Sequence, residues 1–158
     1  MTAIGLRPAT ATDSEYCFRL HKAAIGAYVT AIWGWDEQVQ RDFHARVFSP
    51  GQWQIITTEG ADAGMLHVEH RPTEIYLARI ELHPDHQGRG IGSQLIRSLL
   101  LQARQQGRDL ALDVLVVNQR AQALYQRLGL HEVTRHGDND IKIRMSTKPP
   151  QPGPIHRS

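Results

Sequence analysis

A single cysteine, Cys17, leaves no partner for an internal disulfide. A lone thiol fits a reducing compartment, so a cytoplasmic location is expected, and its setting in a helical pattern reads as a buried, inert side chain. Every apolar run is far shorter than about 18 residues, which excludes a transmembrane helix. Met1 to Arg7 carry no basic segment followed by a long apolar stretch, so no secretory signal is expected. Cationic blocks are also missing. The 18 Lys and Arg stand against 16 Asp and Glu, for a net charge of +2, and they are scattered. Nucleic acid and membrane surfaces are therefore excluded as expected partners, while a small polyanion remains compatible. No internal repeat occurs.

What is present suits one domain. The 158 residues can bury one core without staples, although the hydrophobic fraction, 41%, is slightly low. Four of the eight prolines fall within residues 148–158, which read as an extended tail beyond a domain of residues 1–147. Within the domain, Ile4 to Pro8 reads as a strand and Thr12 or Asp13 as the cap of a first helix. Asp36 caps a second helix whose Val39, Phe43 and Val47 form an i, i+4, i+8 apolar stripe. Trp53–Thr58 and Ala63–His70 read as a hairpin, followed by a strand over Glu74–Leu82. Regular alternation there puts Tyr76, Ala78, Ile80 and Leu82 on one face and Ile75, Leu77, Arg79 and Glu81 on the other. Ile91, Leu95, Ile96, Leu99, Leu100 and Ala103 mark a strong amphipathic helix stopped at Gly107. Leu110–Val117 reads as a buried central strand, and Asn118 as the cap of a helix ending at Gly129. A last hairpin turns at Gly137–Asp140.

Pro84 to Gly92 holds three alternating glycines just before the strongest helix. A strand, a tight loop and a helix start form a phosphate-binding arrangement, because free amides and the helix dipole converge and glycine lets the backbone approach an anion. The two familiar phosphate motifs fail on residues. A P-loop ends in Gly-Lys-Ser/Thr, which is absent. A dinucleotide fingerprint started at Gly88 needs a third glycine where Ser93 stands, and started at Gly90 needs one where Leu95 stands. The spacing present is Gln-x-x-Gly-x-Gly, after Leu82-His83-Pro84.

The run Ile80 to Gly92 resembles the acetyl-CoA motif of the GCN5-related N-acetyltransferases (GNAT). Asn118 to Leu130 is similar to that family's Asn-x-x-Ala-x-x-Leu-Tyr-x-x-x-Gly-Phe motif, with Leu130 in place of phenylalanine. The order of elements agrees from about Ala3 to Ser146. The resemblance implies an α/β fold with a mixed, mostly antiparallel, splayed sheet flanked by helices. It implies transfer of acetyl from acetyl-CoA directly to a primary amine of a small molecule or protein, without an acyl-enzyme. The amides of Gln87, Gly88, Arg89, Gly90, Gly92 and Ser93 would take the pyrophosphate, with Arg89 also able to add charge. Ile80, Leu82 and Asn118 would bond the pantetheine arm, the Leu82 amide polarising the thioester oxygen. Tyr125 would serve as general acid. A phenol near pKa 10 is about 1.5 units too weak to protonate a thiolate near 8.5 without help, so hydrogen bonding to the thiolate is the alternative. Dimerisation is common in the family, which admits a homodimer here.

The general base is not explicit. Tyr76, Ala78 and Ile80 include no acid. Glu81 reaches the site only if a bulge re-aims it, and a water relay backed by Glu69 or Asp36 is the alternative. For the acceptor, Trp33 and Asp36 could hold a cationic amine through ring and charge; otherwise both Trp33 and Trp35 pack a helix corner while the acids cap. His83 and His86 lack a third ligand at sensible spacing, so no metal is expected. From another class, a non-catalytic acyl-CoA-binding or regulatory module would keep the loop and lack turnover.

Overall fold

The computed structural model describes residues 3–149, so most of the expected tail, residues 150–158, lies outside the described residues. In chain order the elements are β1 (Ile4–Pro8), α1 (Ser14–Trp33), α2 (Glu37–Val47), β2 (Trp53–Thr58), β3 (Ala61–His70), β4 (Glu74–Leu82), α3 (Ile91–Gln105), β5 (Asp109–Leu115), α4 (Gln119–Arg127), β6 (His131–His136) and β7 (Lys142–Ser146). The seven strands form one sheet in the order β1-β2-β3-β4-β5-β7-β6. All neighbours are antiparallel except β4 and β5, whose parallel pairing requires the crossover supplied by α3.

Each face of the sheet has its own core. On one, the α3 stripe of Ile91, Leu95, Ile96, Leu99 and Ala103 packs on Ile75, Leu77, Leu110 and Leu112. On the other, Cys17 and Leu20 of α1 pack on Trp53, Ile55 and Met65. Cys17 is fully buried, and burial pushes its thiol up to about 12, as an inert side chain requires.

Two expectations need correction. The stripe on α2 is not a core face, since Val39 and Phe43 are 60% and 45% exposed. The helix docks through another side, where Arg41, His44 and the following Phe48 recur at i, i+3 and i+7. The Arg41 guanidinium lies 4.2 Å over Phe18, and the His44 and Phe48 rings meet Trp53 at 6.2 and 5.2 Å. Val47, the last residue of the stripe, does pack on the α1-side core, but aromatic area on this side outweighs Val39 and Phe43.

The alternation along β4 is also broken. Arg79 pairs with His67 and Leu77 with Val68, so Ala78 is an extra residue in a β-bulge. Ile75 and Leu77 therefore share a face with Ile80 and Leu82, while Arg79 and Glu81 turn to the α1 side. The strand end is also held close to β3. A Cβ on Gly64 would lie 2.3 Å from the Glu81 carbonyl oxygen, so only glycine permits this approach.

The parallel register runs only from Glu74↔Asp109 to Leu77↔Leu112. Beyond it β4 and β5 part, and the backbone edge of Ala78–Leu82 facing the gap has lost its neighbouring strand.

Candidate functional site

The loop after β4 reaches α3 through two left-handed glycines, Gly88 at φ +78° and Gly90 at φ +80°. Gly90 is the N-cap of α3, and its carbonyl takes the first helical bond, from Gln94 N at 3.0 Å. The amides of Ile91, Gly92 and Ser93 thus have no intrahelical acceptor, and those of Gly88, Arg89 and Gly90 have no backbone acceptor among the described residues. The Gln87 amide differs, because it donates to Pro84 O at 3.2 Å. Its side-chain Nε2 donates to Leu82 O at 2.9 Å and ties the loop to the strand end.

These amides border a pocket of about 500 Å³, with Gly88, Gly90, Gly92 and Ser93 on one side and Arg120 and Arg127 of α4 on the other. Arg89 is exposed and lies outside that lining. The cations beside the loop are thus two residues that sequence reading overlooked. Their signal was available, for a separation of seven places both on one helix face.

A second cleft, of about 200 Å³, fills the gap between the parted strands. Ala78 to Glu81, Asp113 to Leu115, His21, Ile25 and Tyr125 border it. Asn118 borders both spaces and joins them. Its Oδ1 accepts from Ala121 N at 3.1 Å and caps α4, which leaves its amide hydrogens for another partner.

Tyr125 enters from α4, its ring against the α3-side core. Burial pushes its phenol up to about 12, with the charge of Glu81 adding to the shift. Glu81 has the side chain turned in by the bulge, and it is 9% exposed. Its Oε1 and Oε2 lie 2.7 and 3.0 Å from His21 Nδ1, and Arg79 Nη1 lies 3.4 Å from Oε1. His21 was missed at the sequence level, since its partner is 60 positions away.

Asp113 is the other acid on the cleft, and its environment is saturated. It accepts two bonds from Arg144 at 2.9 and 3.1 Å, one from His136 at 2.7 Å and one from the Tyr76 hydroxyl. Burial raises its carboxyl, but the Arg144, Tyr76 and His136 hydrogen bonds win and hold it at about 2. Such a carboxylate has little basicity to offer. Burial and the same bond push Tyr76 up to about 12.

The remaining candidates lie elsewhere. Glu69 is paired to Arg71 at 2.8 Å. Asp36 caps α2 by accepting from Val39 N at 2.9 Å. Trp33 is 55% exposed at the end of α1. The structure brings neither Trp33 nor Asp36 to either space. The ring, acid and cation that do assemble are internal: Lys22 Nζ lies 5.4 Å from the Trp35 ring, and Glu37 accepts from both at 2.8 Å. Among the described residues, no three His, Cys, Asp or Glu side chains cluster as metal ligands, and no helix is long and apolar enough to cross a membrane.

Residues 17–130 match the family model described as the acetyltransferase (GNAT) family. No curated protein matches the sequence. Solved structures share the fold at low identity. The PaiA N-acetyltransferase of Thermoplasma acidophilum, solved with coenzyme A, is 15% identical with a TM-score of 0.72, over 92% of this chain and 99% of that one. The ribosomal-protein-S18-alanine N-acetyltransferase of Escherichia coli is 22% identical with a TM-score of 0.64, over 96% and 97%. Arabidopsis thaliana Naa50, solved with the bisubstrate analogue CoA-Ac-MVNAL, is 14% identical with a TM-score of 0.60, over 90% and 97%.

Proposed function

We propose a residue-level account of catalysis that proceeds from one premise: this chain belongs to the acetyltransferase (GNAT) family. It is an acetyl-CoA-dependent transferase that moves the acetyl group to an amine. The finer reading is a primary amine, on a small molecule or a protein, attacking the thioester directly. One observation carries this reading. The amide-rich loop and Tyr125 border two spaces that meet at Asn118, which supports a phosphate anchor and a reaction centre along one path.

On this account the amides of Gly88, Arg89, Gly90, Gly92 and Ser93 receive the pyrophosphate, and Arg120 and Arg127 add charge opposite them. Gln87 acts mainly through its side chain, by fixing Leu82. The edge of Ile80 and Leu82 that lost β5 offers its backbone groups to the pantetheine, as does Asn118. The Leu82 amide polarises the thioester oxygen.

Tyr125 orients and stabilises the leaving sulfur. Burial pushes the Tyr125 phenol up to about 12, which makes it a weak acid for the departing thiolate. Tyr125 therefore donates a hydrogen bond, and sulfur takes its proton from water. Glu81 supplies the negative charge of the acceptor wall and serves removal of the amine's proton. Trp33 and Asp36 hold no part in this account.

Calorimetric titration with acetyl-CoA, combined with thiol release over a panel of spermidine, tyramine, a lysine peptide and a free-N-terminus peptide, tests the reading. Tight binding with release for at least one amine is expected. Binding without release for any amine would favour a regulatory module.

A further inference from the structure

The carboxylate at the acceptor wall is not alone. His21, Glu81 and Arg79 all border the cleft, and the three groups constrain one another. Nδ1 of His21 has two carboxylate oxygens, at 2.7 and 3.0 Å, and one guanidinium nitrogen, at 3.0 Å. A bare Nδ1 would accept from Arg79 but would set its lone pair against the nearer carboxylate. A protonated Nδ1 donates to Glu81, and Arg79 then bonds Glu81 Oε1 instead. The second arrangement opposes no two acceptors; it does set protonated Nδ1 3.0 Å from the Arg79 donor, and the shorter 2.7 Å contact to the carboxylate selects it. The ring's remaining nitrogen, Nε2, then carries the lone pair. No group among the described residues bonds Nε2, yet it is not sealed in the interior, since it is missing from the buried polar atoms that lack partners. His21 is 15% exposed and borders the same cleft as Tyr125.

Building on the transferase reading, we infer that His21 Nε2 is the base that takes the amine's proton, and that Glu81 is a positioning residue that fixes the imidazole tautomer. Glu81 has its charge matched by Arg79 and both oxygens directed at Nδ1. It is poorly placed to reach substrate itself.

The proton count closes. The acceptor enters as a free amine with two N–H bonds, its ammonium proton already lost to solvent, and leaves as an amide with one. The nitrogen forms its bond to the acetyl carbon, which makes its N–H acidic, and His21 Nε2 takes that proton and passes it to solvent. The carbon–sulfur bond breaks, sulfur keeps the electron pair, and water reprotonates it beside Tyr125. No oxidant or further reactant enters.

The groups facing His21 are Arg79 and Glu81 from β4 and Tyr125 from α4, with Asp113 bordering the same cleft from β5 and His44 of α2 near enough to feel its charge.

The test uses the full chain and the best amine of the panel. For His21→Gln, kcat is expected to fall about 10²- to 10³-fold, with acetyl-CoA affinity by calorimetry within about threefold. The acid limb of kcat should disappear, while residual kcat/KM still rises with pH as free amine accumulates. For Glu81→Gln the fall is smaller, and Glu81→Asp restores part of the rate. Imidazole nitrogen–proton correlation spectra, with His21 assigned by its loss in His21→Gln, are expected to show Nδ1 protonated and Nε2 bare. A His21→Gln enzyme as fast as the wild type, or the opposite tautomer, would overturn the assignment. A wild type that binds acetyl-CoA and acetylates nothing would defeat the transferase reading itself, which separates the two failures.

Discussion

The two spaces that meet at Asn118 are walled by different material. The proposed donor wall is backbone: amides at the start of α3, two left-handed glycines, and the capped start of α4. The opposite wall is side chain: His21, Arg79 and Glu81, packed from elements far apart in the chain. A backbone wall depends on torsion angles and is indifferent to most side-chain changes. A side-chain wall depends on registers that bring remote residues together. Damage to the first should appear in affinity, and damage to the second in turnover.

Tyr125 borders the same cleft as His21 and Asn118, and it gives the largest expected effect after the His21 variant. Tyr125→Phe should lower kcat about 10²-fold while KM for acetyl-CoA stays within about threefold, checked by steady-state thiol release. Equal losses in both would place Tyr125 in donor binding and blur the contrast.

Gly90→Val tests the backbone wall. A Cβ in the left-handed region costs about 1–2 kcal/mol, and a β-branched one more. If the loop yields, acetyl-CoA should bind roughly 10-fold weaker or worse by calorimetry. An unchanged Kd would show that the amides tolerate another path.

Asp113→Asn probes a carboxylate that this reading makes structural. It leaves Arg144 without its charge partner and should lower stability by about 1–3 kcal/mol at pH 7, measured by urea unfolding. The sign with pH follows from the folded value of about 2 against about 3.9 unfolded. Its stabilisation is full above about pH 4 and is lost as pH falls through 2, so the variant should approach the wild type in acid. A gap that persists at pH 2 would assign the loss to something other than ionisation.

The smallest effect is expected at Cys17. Cys17→Ala removes a buried sulfur and should cost about 1 kcal/mol of stability, with turnover within twofold, because direct attack needs no protein thiol. Loss of activity would point to an acyl-enzyme and break the comparison at its root.

The loop geometry was legible in the sequence because its parts are contiguous. Gln87 to Ser93 hold loop, glycines and helix start within one short stretch, and Asn118 declares its cap locally. The bounds of β4 were legible too, at Glu74–Leu82. Its facing was not, because the bulge at Ala78 is settled by pairing with His67 and Val68 rather than by the composition of β4. The His21–Glu81 contact depends on that bulge and on the seat of α1, so no local pattern could announce it. The α2 stripe misled for a related reason. An apolar stripe says that a helix has a greasy side, but Trp53 and Phe18 decided which side would dock.

Ala78 acts as a punctuation mark in β4. It adds one residue of slack, and every side chain after it is read from the opposite face. Flattening the bulge, with Ala78 kept as an ordinary rung of the ladder, would be a frameshift in space. Arg79 and Glu81 would turn toward the α3 core, Ile80 and Leu82 would turn toward the acceptor, and the same letters would spell a different wall. The chemistry of this cleft therefore hangs on a residue that contributes a single methyl group.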